Sequence, residues 1–173
     1  YEDLNVLAIT MDGEGDGVSA SVNICKNGEI SVLNETDRKN SLGAIYSAVT
    51  KRCGFKVSRH EGKITGLAAY GDPTKAYSFF SKYIVVVDGK LYIEGLKFSV
   101  LRRAVNKVFR YLGIRLSIGH DQLIGRCLNI SKADLSSGIQ DLLQDRIKEI
   151  VSYWVGRTGI SNLVLAGGVF ANV

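Results

Sequence analysis

Carboxylates and glycines alternate at one point in the chain, Met11-Asp12-Gly13-Glu14-Gly15-Asp16-Gly17, with Ser19 and Ser21 just behind. Glycines at 13, 15 and 17 let a backbone turn sharply and lie close to a ligand. The amides of such a turn can cradle phosphate oxygens. Carboxylates beside a phosphate call for a cation between them, because a metal offsets the repulsion. Asp12, Gly13, Gly15 and Asp16 are therefore candidates for a phosphate-facing, metal-facing turn. The competing reading is a glycine-rich hairpin whose acids are merely solvated. Spacing argues against a calcium loop: Asp12-x-Glu14-x-Asp16-Gly17 imitates the start of an EF-hand, but its eighth position is Ser19 and its twelfth is Asn23, where a bidentate Glu is needed.

A second stretch, His60-Glu61-Gly62-Lys63-Ile64-Thr65-Gly66-Leu67-Ala68-Ala69-Tyr70-Gly71-Asp72-Pro73, sets a carboxylate and a cation two residues apart between glycines. Glu61 suits a ribose hydroxyl and Lys63 a phosphate. The bland alternative is a surface helix with a weak ion pair. A third, Leu163-Val-Leu-Ala-Gly167-Gly168-Val-Phe-Ala-Asn172, delivers two glycines to the end of a buried strand and then starts a helix. Ligands bind open α/β sheets at such strand ends, and a helix N-terminus favours anions. Gly167, Gly168 and Asn172 are candidates there, against a plain glycine turn for close packing. His60 and His120 read as polar surface residues rather than ligands. No Ser–His–acid set, HExxH or Walker A motif occurs. Asp141, Asp145 and Glu149, spaced by four, read as a solvated helix face.

These motifs need elements to hold them. Residues 4–11 read as a strand, Val18 to Cys25 as a second and Glu29 to Glu35 as a third, with Lys26-Asn27-Gly28 as a hairpin turn. Ser41 caps a helix to about Cys53 that is closed by Gly54. Short helices follow over His60 to Gly71 and from Pro73 to about Tyr83, and 84–94 is a hairpin turning at Asp88-Gly89. Phe98 to Leu112 has helical spacing. Ser131 caps a long helix over 132–158, and Asn162 to Ala166 is a buried strand. The first and last strands, if parallel in one sheet, bring the acidic turn and the glycine pair to one crevice. Glu61 and Lys63 should border that crevice, and the Asp88-Gly89 hairpin should lie away from it. The predicted fold class is α/β: a mixed sheet, three antiparallel strands then a parallel one, flanked by helices in a ribonuclease-H-like unit.

The 173 residues suffice for one domain with a real core, and 46% hydrophobic with 23% charged residues is ordinary globular composition. A net charge of +5 suits anionic ligands. The densest basic run, Arg102 to Arg110, interleaves apolar residues at helical spacing, so it reads as a solvated helix face and not as a nucleic-acid footprint. Three widely spaced cysteines form no CxxC pair, which argues against zinc and against a disulfide framework and fits a reducing cytoplasm. No apolar run approaches the roughly 18 residues of a membrane span. Tyr1 and Val173 both read as cut ends of a longer protein.

The ordered set resembles the nodulation-protein-U and cephalosporin/tobramycin O-carbamoyltransferase family. The matching residues are Asp12-Gly13-x-Gly15-Asp16, Ser41-Leu42-Gly43 with Tyr46, Gly54-Phe55-Lys56, Glu61-Gly62-Lys63-x-x-Gly66-Leu67-Ala68-x-Tyr70-Gly71, Gln140, and Leu165-Ala166-Gly167-Gly168-Val169 with Asn172. Between about 74 and 130 only the pattern of elements agrees. The resemblance implies one lobe of an actin-like ATPase domain, of the acetate/sugar-kinase, heat-shock-70 and actin type, spanning 1–173 and truncated at both ends. It implies a carbamoyl-adenylate made from ATP and carbamoyl phosphate, and transfer of its carbamoyl group to the hydroxyl of a small-molecule acceptor. It makes Asp12 a ligand to a divalent metal such as iron(II). Gly13, Gly15 and Asp16 become the phosphate-facing turn, Glu61 and Lys63 the nucleotide lining, and Gly167, Gly168 and Asn172 the adenosine or phosphate side. A histidine pair, a later Asp and an adenylating domain are expected outside 1–173, so the chain alone is expected to be inactive. A tRNA threonylcarbamoyl transferase-like or sugar-kinase-like enzyme, or a non-catalytic nucleotide-binding module, are the alternatives.

Overall fold

The computed structural model describes residues 5–93, 119–127 and 129–172. The helix expected over 98–112 and the basic run 102–110 lie outside them. The chain opens with a meander of β1 (Val6–Gly15), β2 (Val18–Lys26) and β3 (Glu29–Asp37). A 3-10 turn (Arg38–Asn40) leads into α1 (Leu42–Arg52). Then come α2 (Glu61–Ala68), α3 (Thr74–Phe80) and the hairpin β4 (Ile84–Val87) and β5 (Lys90–Ile93). After the short α4 (His120–Ile124), α5 (Lys132–Thr158) returns the chain to β6 (Leu163–Ala166) and a 3-10 turn (Phe170–Asn172).

The main sheet has the order β3-β2-β1-β6, with β6 parallel to β1 and the other neighbours antiparallel. The mixed α/β sheet is thus as expected, but the strand order needs a correction. The parallel strand does not continue the meander beyond β3; it pairs along the opposite side of β1. The reason is the crossover: α1 packs on β1, and the long α5 hands the chain directly to the open edge beside it. The β4–β5 hairpin forms a separate two-stranded sheet.

Alternation sets the two faces of the sheet. Leu7, Ile9, Met11 and Val22 are 0–4% exposed and join the core with Leu42, Ile45, Tyr46 and Val49 of α1. The opposite face is polar, with Thr10 Oγ1 and Ser21 Oγ 2.8 Å apart and Asn23 Nδ2 donating to Ser21 Oγ at 2.8 Å. Ser41 caps α1 by accepting the Ala44 N–H at 3.0 Å. Ser131 caps α5 in the same way through Asp134, and Gly159 ends it with φ +68°. The buried stripe of α5, including Leu135, Ile139, Leu142, Ile147, Ile150 and Trp154, packs on α1, α2, α3 and β4.

Two-residue turns join all three hairpins, at Asp16-Gly17, Asn27-Gly28 and Asp88-Gly89, each with φ positive at both positions. Type I′ turns of this kind match the twist of the flanking strands. This shortens the expected acidic turn: Asp12, Gly13 and Gly15 belong to β1, and only Asp16 and Gly17 turn. His120, expected in a loop, begins α4. Asp145 and Glu149 are not simply solvated either, since Tyr77 Oη donates to Asp145 at 2.7 Å and Arg146 pairs with Glu149. The largest correction concerns β6. Expected to be buried, it leaves Leu163, Val164 and Leu165 at 36%, 52% and 42% exposure. Leu163 and Leu165 lie on the same side as Leu7 and Ile9, their register partners, yet the cover from α1 stops at β1.

Candidate functional site

β1 and β2 keep regular register up to Met11–Ala20 and regain it at Gly15–Val18. Between these pairs β1 has three residues where β2 has one, so Asp12, Gly13 and Glu14 bulge out of the ladder. Bulges re-aim side chains and recur beside active sites. Asp12 is exposed at the start of this bulge, and its Oδ1 accepts the Gly13 N–H at 2.7 Å. Asp16 is exposed in the turn beyond. Glu14 pairs with Arg38 at 3.2 Å, which anchors the outer end of the bulge to the end of β3.

The parallel pairing brings the second glycine motif to the same sheet edge. Thr10 lies opposite Ala166, the last residue of β6, and the Val169 N–H then donates to the Met11 carbonyl at 3.2 Å. Gly167 has φ +106° and passes so close that a Cβ there would overlap the Met11 carbonyl. A Cβ on Gly168 would lie 3.3 Å from Asp12 Oδ1. The Asp12 bulge and the Gly167–Gly168 turn therefore sit side by side, as expected from strand direction. Asn172 ends a single 3-10 turn rather than opening a regular helix. A small apolar pocket beneath the bulge, lined by Met11, Asp12, Leu42, Leu91, Ile150 and Val169, is too small for a nucleotide. Leu91 brings the second hairpin to this wall, contrary to expectation, although its turn docks elsewhere, with Trp154 Nε1 donating to the Gly89 carbonyl at 2.9 Å.

Glu61 and Lys63 lie on α2, which touches the 3-10 turn Phe170–Asn172 beyond the glycine pair, and the hydrogen bonds of Glu61 go to α1 and the preceding turn rather than to the bulge. Glu61 Oε1 accepts the Ser58 N–H at 2.6 Å and the Ser47 hydroxyl at 3.2 Å. These bonds tie the first residue of α2 to the preceding turn and to α1, while the N-cap of α2, His60, makes no side-chain capping hydrogen bond. Lys63 Nζ lies 5.6 Å from the Phe55 ring centroid and makes no ion pair with Glu61. The element that carries both is held from inside. Tyr46 Oη donates to Gln140 Oε1 at 2.9 Å and lies 3.0 Å from Thr65 Oγ1, joining α1, α2 and α5. Burial, opposed in part by the Thr65 hydrogen bond, raises the Tyr46 pKa, so the phenol stays protonated and its donor role is fixed.

Ser41 and Gly43 contribute something that helix capping alone does not require. The Ser41 hydroxyl donates to the Gly13 carbonyl at 2.6 Å, with the Asp12 carbonyl at 3.2 Å. Sequence reading finds Ser41 only as a cap, because its second partner lies 28 residues away. As for a metal, no group of three or more His, Cys, Asp or Glu side chains able to hold one occurs among the described residues. Asp12 offers one carboxylate, and one Oδ already accepts an amide, so these residues do not by themselves fit a metal. No helix among the described residues is long and apolar enough to cross a membrane.

Known sequences resemble this chain over nearly its whole length. The nodulation protein NolNO of Sinorhizobium fredii is 28% identical over 169 residues, which covers 96% of this chain and 22% of that protein. The nodulation protein NolO of Bradyrhizobium diazoefficiens is 26% identical over 169 residues, 96% of this chain and 28% of its own length. An uncharacterized protein of Methanocaldococcus jannaschii, MJ1051, is 24% identical over 177 residues, 96% of this chain and 30% of its own length. The chain thus spans about a quarter of the length of the curated relatives it matches. The sequence profile of the carbamoyltransferase N-terminus matches residues 3–173. With all three motifs inside that match, the chain belongs to the carbamoyltransferase N-terminal family.

Proposed function

We propose that this chain is the nucleotide-side part of an O-carbamoyltransferase with an actin-like ATPase fold, working in the cytoplasm. The carbamoyl donor is a carbamoyl-adenylate formed from ATP and carbamoyl phosphate. The acceptor hydroxyl oxygen attacks the carbamoyl carbon, the bond to the adenylate phosphate oxygen breaks, and AMP leaves. The acceptor proton passes to a base outside the described residues. Within this chain, Gly13, Gly15 and Asp16 border the phosphates from one side, and Gly167, Gly168 and Asn172 from the other. Glu61 and Lys63 lie farther along the same ligand. Asp12 would give one carboxylate to a divalent metal, iron(II) being the candidate, with the other ligands supplied from outside the described residues. The metal would supply charge to oppose the phosphates.

One observation carries the reading: the Asp12 bulge and the Gly167–Gly168 turn meet at the carboxyl end of the parallel β1–β6 pair. That is the ligand position of open α/β sheets, and family membership supplies the chemistry. The full-length protein should release pyrophosphate from ATP only when carbamoyl phosphate is present. Its conversion of carbamoyl-adenylate to AMP should fall by about a hundredfold or more in Asp12→Ala, the range seen when one electrostatic stabiliser is removed, with the circular dichroism spectrum unchanged. Full turnover by Asp12→Ala would sink the site assignment. Absence of carbamoyl-phosphate-dependent pyrophosphate release would sink the reaction class.

A further inference from the structure

We propose that Ser41 and Gly43, in the first turn of α1, are positioning residues that hold the Asp12–Gly13 peptide group in place so that the Asp12 carboxylate keeps one direction. The work assigned to that carboxylate rests on the carbamoyl-transfer reading; the positioning itself rests on geometry alone.

Contacts from α1 and from the glycine turn converge on Asp12 and Gly13. A Cβ on Gly43 would stand 2.8 Å from Gly13 N and 2.9 Å from both the carbonyl carbon and the oxygen of Asp12. These are backbone atoms, not the ends of flexible side chains, so the helix and the bulge touch with no room for a methyl group. Ser41, 0% exposed, adds its hydroxyl to the Gly13 carbonyl at 2.6 Å. An N-cap needs only an acceptor, which Ser41 supplies to the Ala44 N–H. Its donated proton is the part that capping leaves free, and it goes to the bulge. From the other side, Gly168 approaches Asp12 Oδ1 closely enough that a Cβ would sit at 3.3 Å. The backbone of Asp12 is thus fixed by α1, while its side chain remains exposed.

Helix propensity does not explain the glycine. In a helix, alanine is intrinsically favoured over glycine, so position 43 gives up helix stability for close approach. A bulge interrupts the ladder that would otherwise hold β1, and α1 supplies the replacement. Reacting groups must be held to within a fraction of an ångström, and a displacement of about 1 Å can cost about a hundredfold in rate.

The test uses full-length protein labelled with 15N-glycine, carrying Gly43→Ala, Ser41→Ala, Asp12→Ala, or Gly43→Ala combined with Asp12→Ala. The Gly13 amide resonance should move in both positioning variants, while those of the distant Gly89 and Gly159 stay. AMP release from carbamoyl-adenylate should fall about tenfold or more in each. Gly43→Ala should cost nothing further once Asp12 is Ala, because it acts through that residue. A Gly13 resonance unmoved in both variants overturns the proposal, and so do losses that multiply in the double variant. If Asp12→Ala keeps full turnover while Gly13 moves, the carbamoyl-transfer assignment of Asp12 falls and the positioning stands. Should Gly43→Ala fail to fold, Ser41→Ala carries the same comparisons.

Discussion

Val169 and Met11 are joined by a backbone hydrogen bond, N–H to carbonyl at 3.2 Å, just beyond the last parallel pair of β1 and β6. It carries the strand pairing past the end of β6 and across the glycine turn. The chain is thereby folded over β1 at the residue before Asp12. Neither glycine motif nor acidic motif would define a crevice without this link.

Gly167→Ala should therefore be strongly destabilising. Its φ of +106° disfavours any side chain, and a Cβ would collide with the Met11 carbonyl. Backbone strain of this kind costs about 1–3 kcal/mol, and the collision adds to it. Denaturant unfolding should show an unfolding free energy lower by at least that amount, with a correspondingly lower midpoint. An unchanged midpoint would mean that the turn relaxes freely and does not fix the crevice.

Tyr46→Phe removes the hydroxyl that joins α1, α2 and α5 while keeping the buried ring. Gln140 Oε1 loses the donor it has there, and Thr65 loses its partner. Losing a hydrogen bond of this kind costs about 0.5–1.5 kcal/mol. The destabilisation should be accompanied by faster hydrogen exchange in α2, which loses one tie to α1 while the Ser47–Glu61 hydrogen bond remains. Exchange unchanged in α2 would count against the hub.

Acid should weaken the junction of α3 and α5. The Thr74 hydroxyl and amide lower the Asp72 pKa, and the Asp72 amide, then Ser131, lower that of Asp134. Groups with a lowered folded pKa stabilise above their unfolded value, near 3.8 here, and lose that contribution as pH falls through the folded value. Stability should hold from neutrality to about pH 5 and decline below about pH 4. Asp72→Asn and Asp134→Asn, measured by thermal unfolding against pH, should show a shallower acid decline. Curves parallel to the parent would refute the assignment.

The cysteines should divide by reactivity. Cys53 and Cys127 are each 2% exposed, and burial raises both pKa values, that of Cys127 to about 11. A thiol-specific reagent at pH 8 should modify Cys25 in the native protein and the other two only after denaturation. The sign of the linkage also follows. A raised folded pKa contributes stability below the ordinary thiol value of 9.0 and loses it as pH climbs towards about 11. Rapid native labelling of Cys127 would contradict its burial.

Local signals carried most of the architecture. Ser41 and Ser131 mark their helices because a cap is a bond between neighbours, and Asn27-Gly28 and Asp88-Gly89 mark hairpins because the turn itself demands positive φ. The same rule applied to Asp16-Gly17 would have returned Asp12 to the strand. The bulge was not legible, since it exists only where Gly43 and Ser41 meet it from α1. Nor was the exposure of β6, since Leu-Val-Leu-Ala has the same composition at an edge as in an interior. Gln140 reaches Tyr46 across 94 residues, and Glu61 is drawn to the Ser58 amide and the Ser47 hydroxyl. Pairing of strands could be foreseen from direction; what covers them could not.

The two margins of the sheet differ in how they would behave in a concentrated solution. β3 carries Glu29, Glu35 and Asp37 beside its exposed Ile30 and Val32, so charge discourages another strand from joining it. β6 has no such guard. No Lys, Arg, Asp or Glu follows Arg157 up to Val173, and β6 offers apolar side chains on both faces beside a row of peptide groups with no strand partner among the described residues. A preparation of these residues by themselves is thus primed for strand-to-strand self-association along one margin, growing with concentration and relieved by a charged substitution at Val164.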